Sequence, residues 1–188
     1  MRRFEAFTLA EVLITLGVIG VVTALTFPSL IQNYRNKVVE SRLKKFYSAM
    51  NQAVIMAEND YGDKKIWFED VVGAEFDEEG NPVSGSSNAE IWFNKYFSPY
   101  LKTLKETKTL ANGTFAVYFS DGSTLAMLQR GTTRDWLFYP GNTDKCLEQQ
   151  QSRGRCAFSF IFNPITNNSA WTHHYNKGFE PYKYDWDG

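Results

Sequence analysis

Residues 7–31 read FTLAEVLITLGVIGVVTALTFPSLI, and this stretch decides how the chain folds. Apart from hydroxyl residues and Glu11, its side chains are apolar. Because an α-helix rises about 1.5 Å per residue, a helix over this stretch is long enough to cross the roughly 30 Å hydrocarbon core of a bilayer. The stretch therefore predicts one membrane-spanning helix.

The start of the chain is also compatible with a secretory signal sequence, because Arg2 and Arg3 form a short basic region before the apolar run. A signal peptidase could cut after Val22-Thr23-Ala24 and release a soluble product. Glu11 argues against this alternative, since an ionisable group near the centre of an insertion segment costs up to about 3 kcal/mol. A discarded peptide has no use for such a residue.

An apolar pattern with helical spacing continues beyond the membrane-length run. Its members recur at alternating steps of four and three residues, which is typical of one face of an amphipathic helix. They are Val39, Leu43, Phe46, Met50, Ala53 and Ala57. The helix is predicted to continue to Asp60, where Asn59, Asp60 and Gly62 supply stop signals. Its first half suits lipid, and its second half suits a protein core.

The string Ala6-Phe7-Thr8-Leu9-Ala10-Glu11, followed by the apolar helix, resembles the type III signal of type IV pilins and type II secretion pseudopilins. The resemblance implies that a prepilin peptidase cuts between Ala6 and Phe7, on the cytoplasmic side, and methylates the new amine of Phe7. It places Glu11 four residues after the mature N-terminus. The usual residue before the cut is glycine, so Ala6 departs from the commonest pattern, and Glu5 is a second irregularity.

The resemblance also implies roles for Glu11 and Pro28. The Glu11 carboxylate would neutralise the terminal amine of a neighbouring subunit during assembly, whereas the alternative is a carboxylate that reaches the membrane interface or is protonated. Pro28 predicts a helix kink, although prolines are also common in ordinary membrane helices. The implied partners are prepilin peptidase, other pilin or pseudopilin subunits and an inner-membrane assembly platform.

The resemblance implies a pilin-like α+β fold, in which the long N-terminal helix packs on a small antiparallel sheet. Apolar-rich runs on either side of the turn signal at 120–123 predict strands at 114–119 and 124–128. Further strands are predicted at 135–139 and at 156–162, where Phe158, Phe160 and Phe162 alternate on one face, and an apolar helical face lies within 91–104. The expected organisation is a leader (1–6), a transmembrane helix (7–34), its amphipathic continuation (35–60) and a head (61–188). The head divides into a variable α/β loop (61–113), a sheet with a disulfide loop (114–163) and an aromatic tail (164–188).

Cys146 and Cys156 are the only two cysteines, and their spacing fits neither a Cys-x-x-Cys redox pair nor a four-ligand zinc site. A disulfide between them is the natural interpretation. It would stabilise the fold by roughly 2.5–3 kcal/mol in the chain-entropy model, provided that the compartment is oxidising. The alternative is a pair of reduced thiols in a cytosolic protein.

The cysteines and the leader together predict a single-pass protein of the inner membrane with its head outside the cytoplasm, which later enters a pilus or pseudopilus. Counting basic residues after the apolar run favours the opposite orientation. These residues are Arg35, Lys37, Arg42, Lys44 and Lys45. An amphipathic helix docked on a domain can, however, carry lysines on its wet face.

Motifs of catalysis are missing from the sequence, which has no Gly-x-Ser-x-Gly elbow, phosphate-binding glycine loop or His-Glu-x-x-His helix. We therefore expect neither an enzyme nor a cofactor. Adjacent side chains point apart in a strand or helix, so His173 and His174 are expected not to share a metal ion. The acidic residues at 77–79 and at Asp185 and Asp187 match no EF-hand, so no metal site is predicted. A net charge of -1 gives no broad basic surface for nucleic acid. DNA uptake therefore ranks third among the possible functions, after a filament subunit and a membrane-tethered module or enzyme.

The function predicted from the sequence is a structural subunit of a type IV pilus or a type II secretion pseudopilus. The alternative is a membrane-tethered extracytoplasmic binding module or enzyme that uses the aromatic C-terminal region. Aromatic residues that close a small core are, however, more common than aromatic residues that bind a ligand.

Overall fold

The computed structural model describes residues 8–68, 77–79, 83, 88–110, 113–127, 133–141, 143, 146, 154, 156–164 and 173–182. The chain forms two compact units, Met1–Ser41 and Arg42–Gly188. Helix α1, Leu9–Tyr61, contributes to both units. The second unit contains the head (61–188) and the part of α1 that begins at Arg42.

The predicted continuation of the helix is confirmed, because α1 runs from Leu9 to Tyr61 as one α-helix. Its buried side chains all lie in the second half and share one helical face; they are Phe46, Met50, Ala53, Val54 and Ala57. The helix ends where Gly62 adopts a φ of 84°, a left-handed conformation that favours glycine. The Gly62 N–H donates to the Glu58 carbonyl at 2.9 Å, which satisfies one of the last helical carbonyls.

Six strands form one antiparallel sheet whose spatial order follows the chain. They are β1 (Leu104–Thr109), β2 (Phe115–Phe119), β3 (Thr124–Met127), β4 (Asp135–Tyr139), β5 (Phe158–Phe162) and β6 (Phe179–Pro181). The four predicted strands correspond to β2 through β5. The two outer strands were not predicted, since β1 is a largely polar edge strand and β6 has only three residues.

The main core lies between one face of the sheet and the second half of α1. Phe46 is at its centre, with its ring stacked on Phe138 at 4.1 Å and meeting Phe160 edge-on at 4.8 Å between centroids. The predicted alternation along β5 is confirmed, because Phe158, Phe160 and Phe162 all pack on this core. The aromatic residues of this cluster therefore serve packing.

Two short helices and a 3-10 turn close the rest of the core. They are α2 (Lys64–Trp67), α3 (Asn88–Tyr96) and the 3-10 helix Ser98–Tyr100. The buried Trp92 indole N–H donates to the Trp67 carbonyl at 2.6 Å, and the Trp67 indole N–H donates to the Gly62 carbonyl at 3.0 Å. The predicted helical face over 91–104 is too long: α3 ends at Tyr96, Pro99 enters the 3-10 turn, and Leu104 begins β1.

A second, smaller cluster also contains sheet residues and includes the disulfide. Cys146 and Cys156 are bonded, with their Cα atoms 5.9 Å apart, as the sequence predicted. Cys146 is buried among Ala116, Ala126 and Tyr139. The bridge therefore belongs to a packed part of the head.

Candidate membrane-spanning and assembly segment

The first half of α1 is apolar and exposed. It contains an 18-residue window of mean hydropathy 2.1 in which no residue is buried. Leu9 and Leu25, for example, expose 78% and 75% of their surface. A continuous apolar surface of this length is rare on a soluble protein, and by length and composition the helix can cross a membrane once.

Glu11 lies in the first turn of α1 and forms a capping box with Thr8. The Thr8 backbone N–H and hydroxyl both donate to Glu11 Oε2, at 2.9 Å and 2.8 Å. In return, the Glu11 N–H donates to Thr8 Oγ1 at 3.3 Å. The two side chains thus satisfy backbone donors that a helix start leaves unpaired.

This contact gives Glu11 a partner within its own chain, which the sequence analysis missed. The signal was present, because Thr8-Leu9-Ala10-Glu11 has the Thr-x-x-Glu spacing of a capping box before an apolar run. A carboxylate is also favoured at this end of a helix by the helix dipole. The pairing of Glu11 with a neighbouring subunit stays a prediction.

Three hydroxyl residues of the apolar half donate hydrogen bonds to carbonyls of their own helix. Thr15 Oγ1 donates to the Val12 carbonyl at 3.0 Å, Thr26 Oγ1 to the Val22 carbonyl at 2.9 Å, and Ser29 Oγ to the Thr26 carbonyl at 2.9 Å. Such bonds let polar side chains enter lipid without unpaired donors.

Pro28 lies inside α1, where secondary structure continues on both sides of it. Since proline has no N–H, the helix lacks the bond to the carbonyl four residues earlier. The predicted kink stays a prediction. The predicted processing residues, Ala6 and Phe7, lie outside the described residues.

Two basic side chains of α1 hold the helix to loops of the head. Arg42 donates through Nη1 to the Pro140 carbonyl, and Lys45 pairs with Asp121 at 3.1 Å. Burial of the Asp121 carboxyl opposes its ionisation, but hydrogen bonds from Ser123 and Lys45 outweigh this effect and lower its pKa below the usual 3.8. These two cations are therefore engaged within the head.

Asn51 connects α1 to β6, the last strand. Its Nδ2 donates to the Phe179 carbonyl at 3.0 Å and to the Tyr47 carbonyl at 2.9 Å. The approach is so close that a Cβ on Gly178 would lie 1.7 Å from Asn51 Oδ1. Only glycine fits at this position while Asn51 keeps its place.

The expectation that the side chains of His173 and His174 point apart is wrong, because their ring centroids lie 5.2 Å apart and the rings meet edge to face. His174 Nδ1 lies 3.3 Å from Glu180 Oε2, which also pairs with Lys177 at 3.4 Å. Among the described residues, no group of three or more His, Cys, Asp or Glu could hold a metal ion. The acidic residues at 77–79 are exposed, while Asp185 and Asp187 lie outside the described ranges.

These features define an α+β protein with one N-terminal helix that is long and apolar enough to cross a membrane. Within this class, the chain belongs to a family of unknown function, DUF6613, whose model matches residues 29–188. The match begins after Pro28, so Glu11 lies outside it, and no pilin or prepilin signature is found. No curated protein and no solved structure matches the chain.

Proposed function

We propose that this chain is a structural subunit of a type IV pilus or a type II secretion pseudopilus. It enters the inner membrane as a prepilin, is cut before Phe7, and assembles through α1. One observation carries the proposal: an exposed apolar helix with a single acid near its start continues into a helix whose far end packs on an antiparallel sheet. Because one continuous helix supplies both the membrane-spanning half and the half that packs on the sheet, the membrane segment is retained in the mature protein.

The apolar half of α1 suits transfer from lipid to a helix bundle. Both surroundings are apolar, so moving the helix between them exposes no hydrocarbon to water. The charged groups at the start of α1 then fix the register of neighbouring subunits. Cleavage before Phe7 leaves a positive amine that methylation does not neutralise, and the Glu11 carboxylate is the only acid in residues 7–39 that can pair with it in a neighbour.

The described part of the aromatic tail favours a structural role over ligand binding. Phe179 is fully buried in the main core. The Tyr182 hydroxyl donates to the buried Asp135 carboxylate at 2.9 Å. Both side chains hold the last strand in place, which supports a head built for packing.

The first test is mass analysis of the N-terminus of the protein purified from cell envelopes. We expect a chain that begins with methylated Phe7. Changing Ala6→Gly should leave or increase this processing, because glycine is the usual residue in the resembled family. A mature chain that begins after Ala24 would overturn the proposal in favour of a cleaved secretory signal.

The second test separates the charge of Glu11 from its capping role. Glu11→Gln keeps an oxygen that can accept the Thr8 bonds but loses the charge, whereas Glu11→Ala loses both. We expect both variants to insert and be processed, and both to be missing from sheared filaments. Normal incorporation of Glu11→Gln would show that capping suffices and that the proposed intersubunit pairing is wrong.

A further inference from the structure

We propose that Tyr34, Arg35 and Lys37 form a collar that binds anionic phospholipid headgroups on the head side of the membrane. This inference rests on the membrane-spanning part of the proposed function. It adds a class of partner, namely lipids with a net negative charge.

The position of the collar along α1 matches the headgroup layer. The apolar run ends at Ile31, and Arg35 and Lys37 lie four and six residues further along the helix. At about 1.5 Å per residue, these distances are roughly 6 Å and 9 Å. The polar layer on each side of a bilayer is about 5–8 Å thick, so the backbone of Arg35 lies within this layer when the apolar run fills the core. The backbone of Lys37 lies just beyond the layer, from where its long side chain can extend back to the phosphates.

The collar is exposed and locally uncompensated. Arg35 and Lys37 are both exposed, and neither makes an ion pair or a side-chain hydrogen bond with any residue that the structure describes. No acidic residue occurs between Glu11 and Glu40. By contrast, Arg42 and Lys45 contact the Pro140 carbonyl and Asp121. The positive charge beside the apolar run is therefore available to an external anion.

The chemistry of the three side chains favours a phospholipid. Tyr34 exposes 69% of its surface, and an aromatic ring with a hydroxyl is enriched at membrane interfaces. The guanidinium of Arg35 can donate two parallel bonds to one phosphate, and the Lys37 ammonium adds a compact charge. A bilayer places an apolar layer for the Tyr34 ring directly beside the phosphates, whereas an acidic protein segment offers anions without such a layer.

The test uses the full chain in vesicles of phosphatidylcholine and phosphatidylglycerol. Electron paramagnetic resonance of spin-labelled lipids gives the relative association of each headgroup with the protein. We expect a preference for phosphatidylglycerol that falls about fivefold per cation in Arg35→Gln/Lys37→Gln at low salt. The matched control is Lys105→Gln/Lys108→Gln, which removes two exposed cations from edge strand β1 and should leave the preference unchanged.

An unchanged preference in the collar variant, or an equal loss in the control, would overturn the collar. Replacing chloride by inorganic phosphate at constant ionic strength should leave the preference intact, and its loss would identify free phosphate as the ligand instead. Alkaline carbonate washing separates the two proposals. A chain that washes out of the vesicles contradicts the membrane span itself, whereas a retained chain with no lipid preference contradicts only the collar.

Discussion

Replacing Gly178 by alanine tests how the last strand is held to α1. A Cβ at this position would lie 1.7 Å from Asn51 Oδ1 and 2.9 Å from Asn51 Cγ, well inside van der Waals contact. The Asn51 amide must then turn away. It would lose the hydrogen bonds that it donates to the Phe179 and Tyr47 carbonyls.

The expected magnitude follows from those two bonds. Each contributes about 0.5–1.5 kcal/mol, so Gly178→Ala should lower the free energy of unfolding by about 1–3 kcal/mol. Asn51→Ala removes the same bonds and should have a similar effect. In the double variant the atom nearest to the new Cβ is the Cβ of residue 51, at 3.8 Å, which is an ordinary contact. The second substitution should therefore add almost nothing, which gives a coupling energy of about 1–3 kcal/mol.

Urea unfolding of the full chain in detergent, followed by tryptophan fluorescence, measures the free energy of unfolding of the wild-type chain, the two single variants and the double variant. Gly20→Ala serves as the control, because no atom lies within 4 Å of a Cβ at Gly20 and head unfolding should not change. Additive losses in the Gly178→Ala/Asn51→Ala variant would refute the proposed steric coupling.

Three further predictions concern the head. Replacing Cys146 and Cys156 by serine should lower the free energy of unfolding by about 2.5–3 kcal/mol, and reductant should lower that of the wild-type chain equally; an unchanged urea midpoint in both cases would contradict a stabilising bridge. Because the pKa of Asp121 is lowered below 3.8, its contribution to stability is present above pH 3.8 and is lost as the pH falls through the folded-state pKa. The free energy of unfolding of Asp121→Asn should therefore fall less steeply than that of the wild-type chain as the pH is lowered through this range. The hydrogen bond to Asp60 raises the pKa of Tyr100 from 10.0 to about 12, so its contribution is complete below pH 10.0 and is lost as the pH rises through about 12; an alkaline unfolding curve that Tyr100→Phe leaves unaltered would contradict it.

Hydrophobic periodicity predicted the elements whose apolar residues recur at regular spacing and pack in the core. It located the second half of α1 and the strand β5, because apolar side chains at regular spacing face the core there. The strands β2 to β4 are buried at nearly every position, so they show as apolar runs beside turn residues instead. It missed β1 and β6, since a polar edge strand and a three-residue strand carry little periodic signal. It also missed the Thr8 and Glu11 capping box, although the spacing of these residues was visible.

The membrane-length apolar run, its lone acid and the amphipathic continuation of the helix were determined by the sequence alone, because each depends on residues that are neighbours along one helix. Which distant groups meet was decided only by the tertiary structure. The Asn51 contact with the Phe179 carbonyl joins residues 128 positions apart, and the Arg42 contact with the Pro140 carbonyl joins residues 98 positions apart. Such contacts depend on how the sheet packs on the helix, and the local pattern of neither partner contains that information.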